Sequence, residues 1–125
     1  MSSPYLVVDE SSETPPYRQI VEQLRGAIER GDLPPRGPLP TVRQLAGDLG
    51  IAPNTVARAY SELQEDGWLV SDGRRGTSVA EELPRVDRQG RVRALKADVE
   101  RFVRSLTNRG FTRKEIALEL QRLLE

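Results

Sequence analysis

Asn54, Thr55 and Arg58 stand within five positions of one another behind Pro53, and Arg43 precedes them by eleven residues. A second group, Arg74, Arg75, Gly76 and Thr77, follows further down the chain. A carboxamide such as Asn54 carries a donor and an acceptor side by side, which matches the edge of adenine. Thr55 can offer a hydroxyl, or a methyl to thymine, and the fork of Arg58 can reach guanine or a phosphate. Arg43 is placed to meet the backbone or an adjacent base, and Arg74 and Arg75 suit phosphates or a minor groove. This is recognition chemistry rather than catalysis. The 125 residues include no Cys and no His, which excludes thiolate nucleophiles, disulfides, zinc clusters and imidazole acid–base work. Scattered carboxylates give an enzyme little support, and no cofactor or metal is expected.

The elements that must position these side chains can be read from periodicity. Thr41-x-x-Gln44 fits a capping box, opening a helix with Val42, Leu45, Ala46 and Leu49 inward and Gly50 as the turn. A further helix is expected from Pro53 to about Asp66, with Val56, Ala59, Tyr60 and Leu63 on its inner side and Gly67 closing it. Trp68–Val70 and Thr77–Val79 read as two strands joined by residues 71–76. Upstream, Thr14 is an expected N-cap for a helix from Tyr17 to about Arg30, carrying Ile20, Val21, Leu24, Ala27 and Ile28. Asp32–Pro40 holds four prolines and reads as a stiff connector, and Tyr5–Val8 is a β-prone run. The order outlines a mainly α winged helix-turn-helix, three helices plus a β-hairpin wing, over residues 1–80. In that shape the start of helix 53–66 meets base edges, while Glu62, Glu65 and Asp66 lie at the end leaving the groove.

Residues 81–89 are polar, contain Pro84 and read as a linker. Beyond them, residues 90–125 form a two-helix region expected to mediate dimerisation. Val92, Leu95, Val99, Phe102, Val103 and Leu106 alternate at three and four, the seam of a helix of about five turns. Asn108–Gly110 is a turn, and Thr112-x-x-Glu115 is a second capping box before Ile116, Leu120, Leu123 and Leu124, all expected inward. Two helices alone bury little, and the cheapest partner is a second copy in a C2 homodimer.

The chain has no net charge, which by itself argues against nucleic acid. Its distribution is uneven: residues 1–84 carry 8 basic and 13 acidic side chains, whereas residues 85–125 carry 11 basic and 6 acidic. DNA binding therefore needs the few arginines of the first part gathered on one face. No apolar run approaches the roughly 18 residues of a membrane span, and no signal peptide is recognisable, so a cytoplasmic protein without a membrane partner is expected.

Tyr17-x-Gln19-Ile20, Leu39-Pro40-Thr41-Val42-Arg43-x-Leu45-Ala46, Asn54-Thr55-Val56 with Ala59, Leu63 and Gly67, and Arg75-Gly76-Thr77 resemble the N-terminal domain of GntR-family transcriptional regulators. The resemblance runs over about residues 15–80. The short remainder resembles the YtrA-type subfamily, in which two helices replace a large effector domain and mediate dimerisation, and Pro53-Asn54-Thr55-Val56-x-x-Ala59-Tyr60 fits it too. What this implies is a dimeric bacterial regulator, usually a repressor, binding a palindromic double-stranded operator through helix 53–66 and the wing. Arg43, Asn54, Thr55 and Gly76 match positions that touch DNA in the family. Many relatives carry arginine where Pro53 and Ala57 stand here, so those two contacts do not carry over, and Arg58 is one position from the second. Thr41 stands where serine is more usual and keeps the cap. A small-molecule effector would have to sit at the dimer interface or between linker and helices. Two rival readings remain, a winged helix used as a protein-interaction module and a small-molecule sensor with DNA binding secondary.

Overall fold

The structure is a computed structural model that describes residues 6–74, 76–85 and 87–125. Among these, five helices and one hairpin follow in order: α1 (Pro16–Arg30), α2 (Val42–Leu49), α3 (Pro53–Glu65), β1 (Leu69–Asp72), β2 (Gly76–Val79), α4 (Arg88–Asn108) and α5 (Arg113–Leu124). The chain divides into two compact units, the first ending at Pro84 and the second beginning at Arg85.

In the first unit, the apolar stripes expected from spacing are the buried ones. Ile20, Val21, Leu24, Ala27 and Ile28 of α1 meet Val56, Ala59, Tyr60 and Leu63 of α3, with Leu45 and Ala46 of α2. Leu6, Leu39, Trp68, Leu69 and Val79 complete this core. Tyr60 sits inside it with its hydroxyl donating to the carbonyl of Pro40 at 2.8 Å, so the buried polar atom is satisfied. Burial pushes its phenol well above the ordinary range, keeping it a neutral donor.

The start of α1 corrects one expectation. Thr14 does not cap it: the N-cap is Pro15, whose extended ψ of 148° places it outside the helix, and no side chain bonds the end. The reason is Pro16. A proline pushes its predecessor out of the α region, so the helix opens one residue later than Thr14 would require. Pro16 occupies the first turn, where its missing N–H is harmless.

The proline-rich connector is more than a spacer. Arg36 donates its N–H to Val79, Val79 donates to Gly37, and Leu39 donates to Thr77, at 2.8–3.0 Å. Pro38 bridges Ser78. Strand β2 is thus flanked by β1 on one edge and by residues 36–39 on the other. The prolines tolerate this place because an edge needs no ladder donor on its outer side. The hairpin itself pairs Leu69 with Val79 through Asp72 with Gly76. Its strands reach one to two residues nearer the tip than the apolar pattern indicates, and Trp68 belongs to the turn after α3, donating its N–H to Leu63 at 2.9 Å.

The β-prone run forms no strand over Leu6–Val8, and Tyr5 lies outside the described residues. Two glutamines one turn apart on α1 pair with it instead. Gln23 accepts the N–H of Val7 at 3.0 Å and donates to its carbonyl at 2.7 Å. Gln19 does the same for Asp9, at 2.8 Å in both directions. Four helical residues rise about 6.0 Å and two extended residues about 6.6–6.8 Å, so the two carboxamides match alternate residues of an extended chain.

In the second unit, α4 opens at Arg88 with Asp87 accepting the N–H of Gly90 at 3.0 Å. The capping box of α5 is formed: Thr112 accepts the N–H of Glu115, and the Glu115 carboxylate accepts the N–H and hydroxyl of Thr112, at 2.9–3.1 Å. Those bonds, the backbone one first, hold the Glu115 carboxyl below its usual range. Burial is scarce here. No residue of α4 is buried, and Ile116 is the buried residue of α5. Leu123 and Leu124 are 66% and 83% exposed, contrary to the inward placement expected for them. The helices meet near their connecting turn, so residues far from it have nothing to cover them. There Leu106, Phe111, Ile116 and Leu118, with Glu115 and Glu119, line an open cavity of about 480 Å³.

Candidate nucleic-acid interface

The polar side chains singled out in the sequence cluster at the starts of α2 and α3 and on the hairpin. At the start of α2, the Thr41 hydroxyl accepts the N–H of Gln44 at 3.1 Å, and the Gln44 carboxamide accepts the N–H of Thr41 at 2.9 Å. This reciprocal cap fixes the first turn of α2 and holds Arg43, one residue inside it, exposed. The αL residue Gly50, at φ +68°, then turns the chain into α3.

Helix α3 opens differently. Its N-cap is Ala52 and its first residue Pro53, and no side chain bonds the end. Asn54 is exposed and Thr55 half-buried on this first turn, where the positive end of the helix faces outward; Pro53 has no N–H and the Thr55 N–H donates to the Ala52 carbonyl at 3.0 Å. An anionic backbone passing there would meet the positive helix end without displacing a side-chain cap. Val56, Ala59, Tyr60 and Leu63 anchor the opposite side of α3, so the polar face is held by the core and not by a loop.

Arg58 is placed otherwise than its spacing suggests. Its guanidinium carbon lies 3.7 Å from the centroid of the Tyr17 ring on α1, a stacked arrangement. Next to it, Arg18 donates twice to the Glu62 carboxylate, at 2.9 and 3.1 Å. Glu62, expected to lie away from phosphates because of its charge, is therefore paired. No DNA-binding role is expected of Tyr17 or Arg18 from the sequence, although Tyr17 belongs to the motif Tyr17-x-Gln19-Ile20. In the sequence, the signals are that motif and the four-residue spacing of Arg58 and Glu62.

On the hairpin, Arg74 is exposed at the tip and Arg75 lies outside the described residues. Gly76 takes φ +80°, a conformation L side chains rarely adopt, and it is paired with Asp72. Thr77 is half-buried with its carbonyl committed to Leu39. The proposed dimer residues of the second unit divide in two. Val92, Leu95, Val99, Phe102 and Leu123 are exposed, whereas Val103, Leu106 and Leu120 are half-buried and Ile116 is buried between the helices. Among the described residues there is no cluster of metal-ligating side chains, and no helix is long and apolar enough to cross a membrane.

Comparison with known proteins places this arrangement. Residues 16–79 match the family described as bacterial regulatory proteins, gntR family. The chain is 45% identical over 76 residues to the HTH-type transcriptional regulator Rv1152 of Mycobacterium tuberculosis, covering 61% of this chain and 63% of that one. It is 32% identical over 96 residues to the HTH-type transcriptional repressor YtrA of Bacillus subtilis, covering 77% and 74%. Among solved structures, YtrA from Sulfolobus acidocaldarius, a GntR-family transcription factor, superposes with a TM-score of 0.59 at 33% identity, over 78% of this chain and 96% of that one. The DNA-binding domain of AraR in complex with operator ORX1 superposes with a TM-score of 0.55 at 25% identity, over 64% of this chain and 100% of that one. The chain belongs to the GntR family of bacterial regulatory proteins, as a DNA-binding transcriptional regulator of the YtrA type.

Proposed function

We propose that this regulator is a homodimeric repressor that reads an inverted-repeat operator, one half-site per protomer. The observation that carries the reading is exposed Asn54 beside half-buried Thr55 on a first turn of α3 that no side chain caps, backed by core residues on the opposite side. In a helix-turn-helix, that turn enters the major groove while the preceding helix crosses the backbone. Asn54 then pairs with adenine, Thr55 contacts a neighbouring base, and Arg43 and the start of α2, with Thr41, meet the phosphate strand. The wing, with Arg74, Gly76 and Thr77, lies along the adjacent phosphates.

Residues 1–80 serve as the DNA-binding domain, 81–89 as linker and 90–125 as the dimerisation region. The exposed stripe of Val92, Leu95, Val99 and Phe102 supports the last assignment: four large apolar side chains on one side of α4 are left uncovered by this chain. A second copy covers them and brings two reading heads to one duplex. Repression is favoured by the likeness to the HTH-type transcriptional repressor YtrA of Bacillus subtilis. A small-molecule effector, where the regulator responds to one, has room in the cavity beside Phe111.

Selection of bound sequences from a random duplex pool at near-physiological salt tests this reading, together with sedimentation of the free protein. An enriched inverted repeat bound by two protomers is expected. A folded protein that enriches nothing, or that sediments as a monomer and selects a single unrepeated site, contradicts it.

A further inference from the structure

We propose that Tyr17 is a positioning residue for DNA binding: its ring holds Arg58 against the side of α3 so that this arginine engages a phosphate instead of a base edge. The inference rests on α3 being the reading helix and adds a contact at the start of α1. Three observations carry it. First, the Arg58 guanidinium carbon sits over the Tyr17 ring, 3.7 Å from its centroid, within the range of a cation–π contact that leaves the guanidinium's charge available to an anion. Second, Arg58 follows Asn54 by four residues, so both occupy one side of α3, Asn54 towards the entering end. A guanidinium pinned to α1 cannot swing into the groove beside Asn54; it stays at the groove's edge, where the phosphates run.

Third, the neighbouring charges are arranged to permit an anion. Glu62 is the acidic side chain one turn further along that side of α3, and Arg18 binds both its oxygens at 2.9 and 3.1 Å. With Glu62 neutralised, the cluster of Arg18, Arg58 and Glu62 keeps one net positive charge. Arg18 also lies 5.2 Å from the Tyr17 ring and donates to its hydroxyl at 3.4 Å, so one aromatic ring organises both arginines. The ring is half-buried against the core, which gives Arg58 a fixed support, not a mobile one.

A double-mutant cycle on the duplex enriched from the random pool tests this. Tyr17→Leu is expected to weaken binding by about 2- to 5-fold per half-site, and Tyr17→Phe, which keeps the ring, to stay within about twofold of the parent. Arg58→Met is expected to weaken binding across all sequences and to lower the slope of log K against log salt by about one per half-site. In the Arg58→Met background, Tyr17→Leu should have no further effect, because the group it positions is gone. Thermal unfolding of each variant without DNA separates this from lost folding, since a purely structural role lowers Tm and leaves the salt slope unchanged. Equal losses from Tyr17→Leu in both backgrounds, or a changed base preference in Arg58→Met with an unchanged salt slope, would overturn the proposal. Loss of binding in Asn54→Ala but not in Tyr17→Leu would do so as well, while leaving the reading helix intact; a parent chain that enriches no duplex would instead remove the reading itself.

Discussion

The two units of this chain distribute their apolar residues in opposite ways. In the first, three helices, a hairpin and a proline-rich edge close over a shared core, and Ile20, Leu24, Val56, Leu63 and Val79 are wholly buried. In the second, no residue of a 21-residue helix is fully buried, and Val92, Leu95, Val99 and Phe102 stand about half or more uncovered. The regularity of the helices is the same in both. What differs is whether the stripe has something to lie against. A unit with its own core is a stable platform for reading residues, whereas a unit with an open stripe is a surface waiting for a partner.

Substitutions break this contrast in order of size. Leu63→Ala removes a fully buried side chain from the first core and should lower unfolding free energy by about 2–5 kcal/mol, measured by urea titration. Phe102→Glu should barely change the unfolding of the first unit yet weaken self-association by about 2 kcal/mol or more, seen as a shift towards monomer in sedimentation equilibrium. Asn54→Ala should leave both folding and association intact and weaken specific DNA binding by about 1–3 kcal/mol per half-site, seen in an equilibrium binding titration. Thr112→Ala, which removes the side-chain cap of α5, should cost about 1 kcal/mol of stability, read as a lower midpoint in urea.

The smallest expected effect is one of pH. Hydrogen bonds from Thr112 hold the folded Glu115 carboxyl below its ordinary value of 4.5. A depressed carboxyl contributes stability that is present above the unfolded value and is lost as pH falls through the folded one. The parent should therefore lose a small increment of stability on acidification below about pH 4.5, and Thr112→Ala should show a shallower loss over that interval. Parallel pH profiles for the two proteins would remove the Thr112 hydroxyl from the explanation, since the backbone N–H of residue 112 is present in both.

Much of the first unit was legible because its burial follows helical period. Stripes at three and four, the glycines at the helix ends and the two Thr-x-x-Gln/Glu boxes specify local structure through backbone geometry and hydrogen bonds that a short window contains. What stayed hidden depends on contacts between distant segments. The pairing of Arg36–Leu39 with β2 joins residues about forty positions apart, and prolines ordinarily argue against a strand. The glutamine pairing of α1 with Val7 and Asp9 satisfies an extended chain without a sheet, and no strand pattern announces it. Thr14 failed as a cap for a local reason, the rule that a residue before proline avoids the α region, applied to Pro15 itself. In the candidate interface, Asn54, Thr55 and Arg43 could be found from spacing, because the first turn of a helix after a Gly-containing turn is defined by the motif. The stacking of Arg58 on Tyr17 could not, since it spans α1 and α3 and depends on how those helices pack.

The central claim is that the first turn of α3 reads bases in two symmetric half-sites. Repeating the random-duplex selection with Asn54→Ala tests it most directly. The expected result is the parent's inverted repeat with unchanged half-site spacing and a lost preference at one base pair in each half-site, placed symmetrically. An enriched motif identical to the parent's at every position would contradict it.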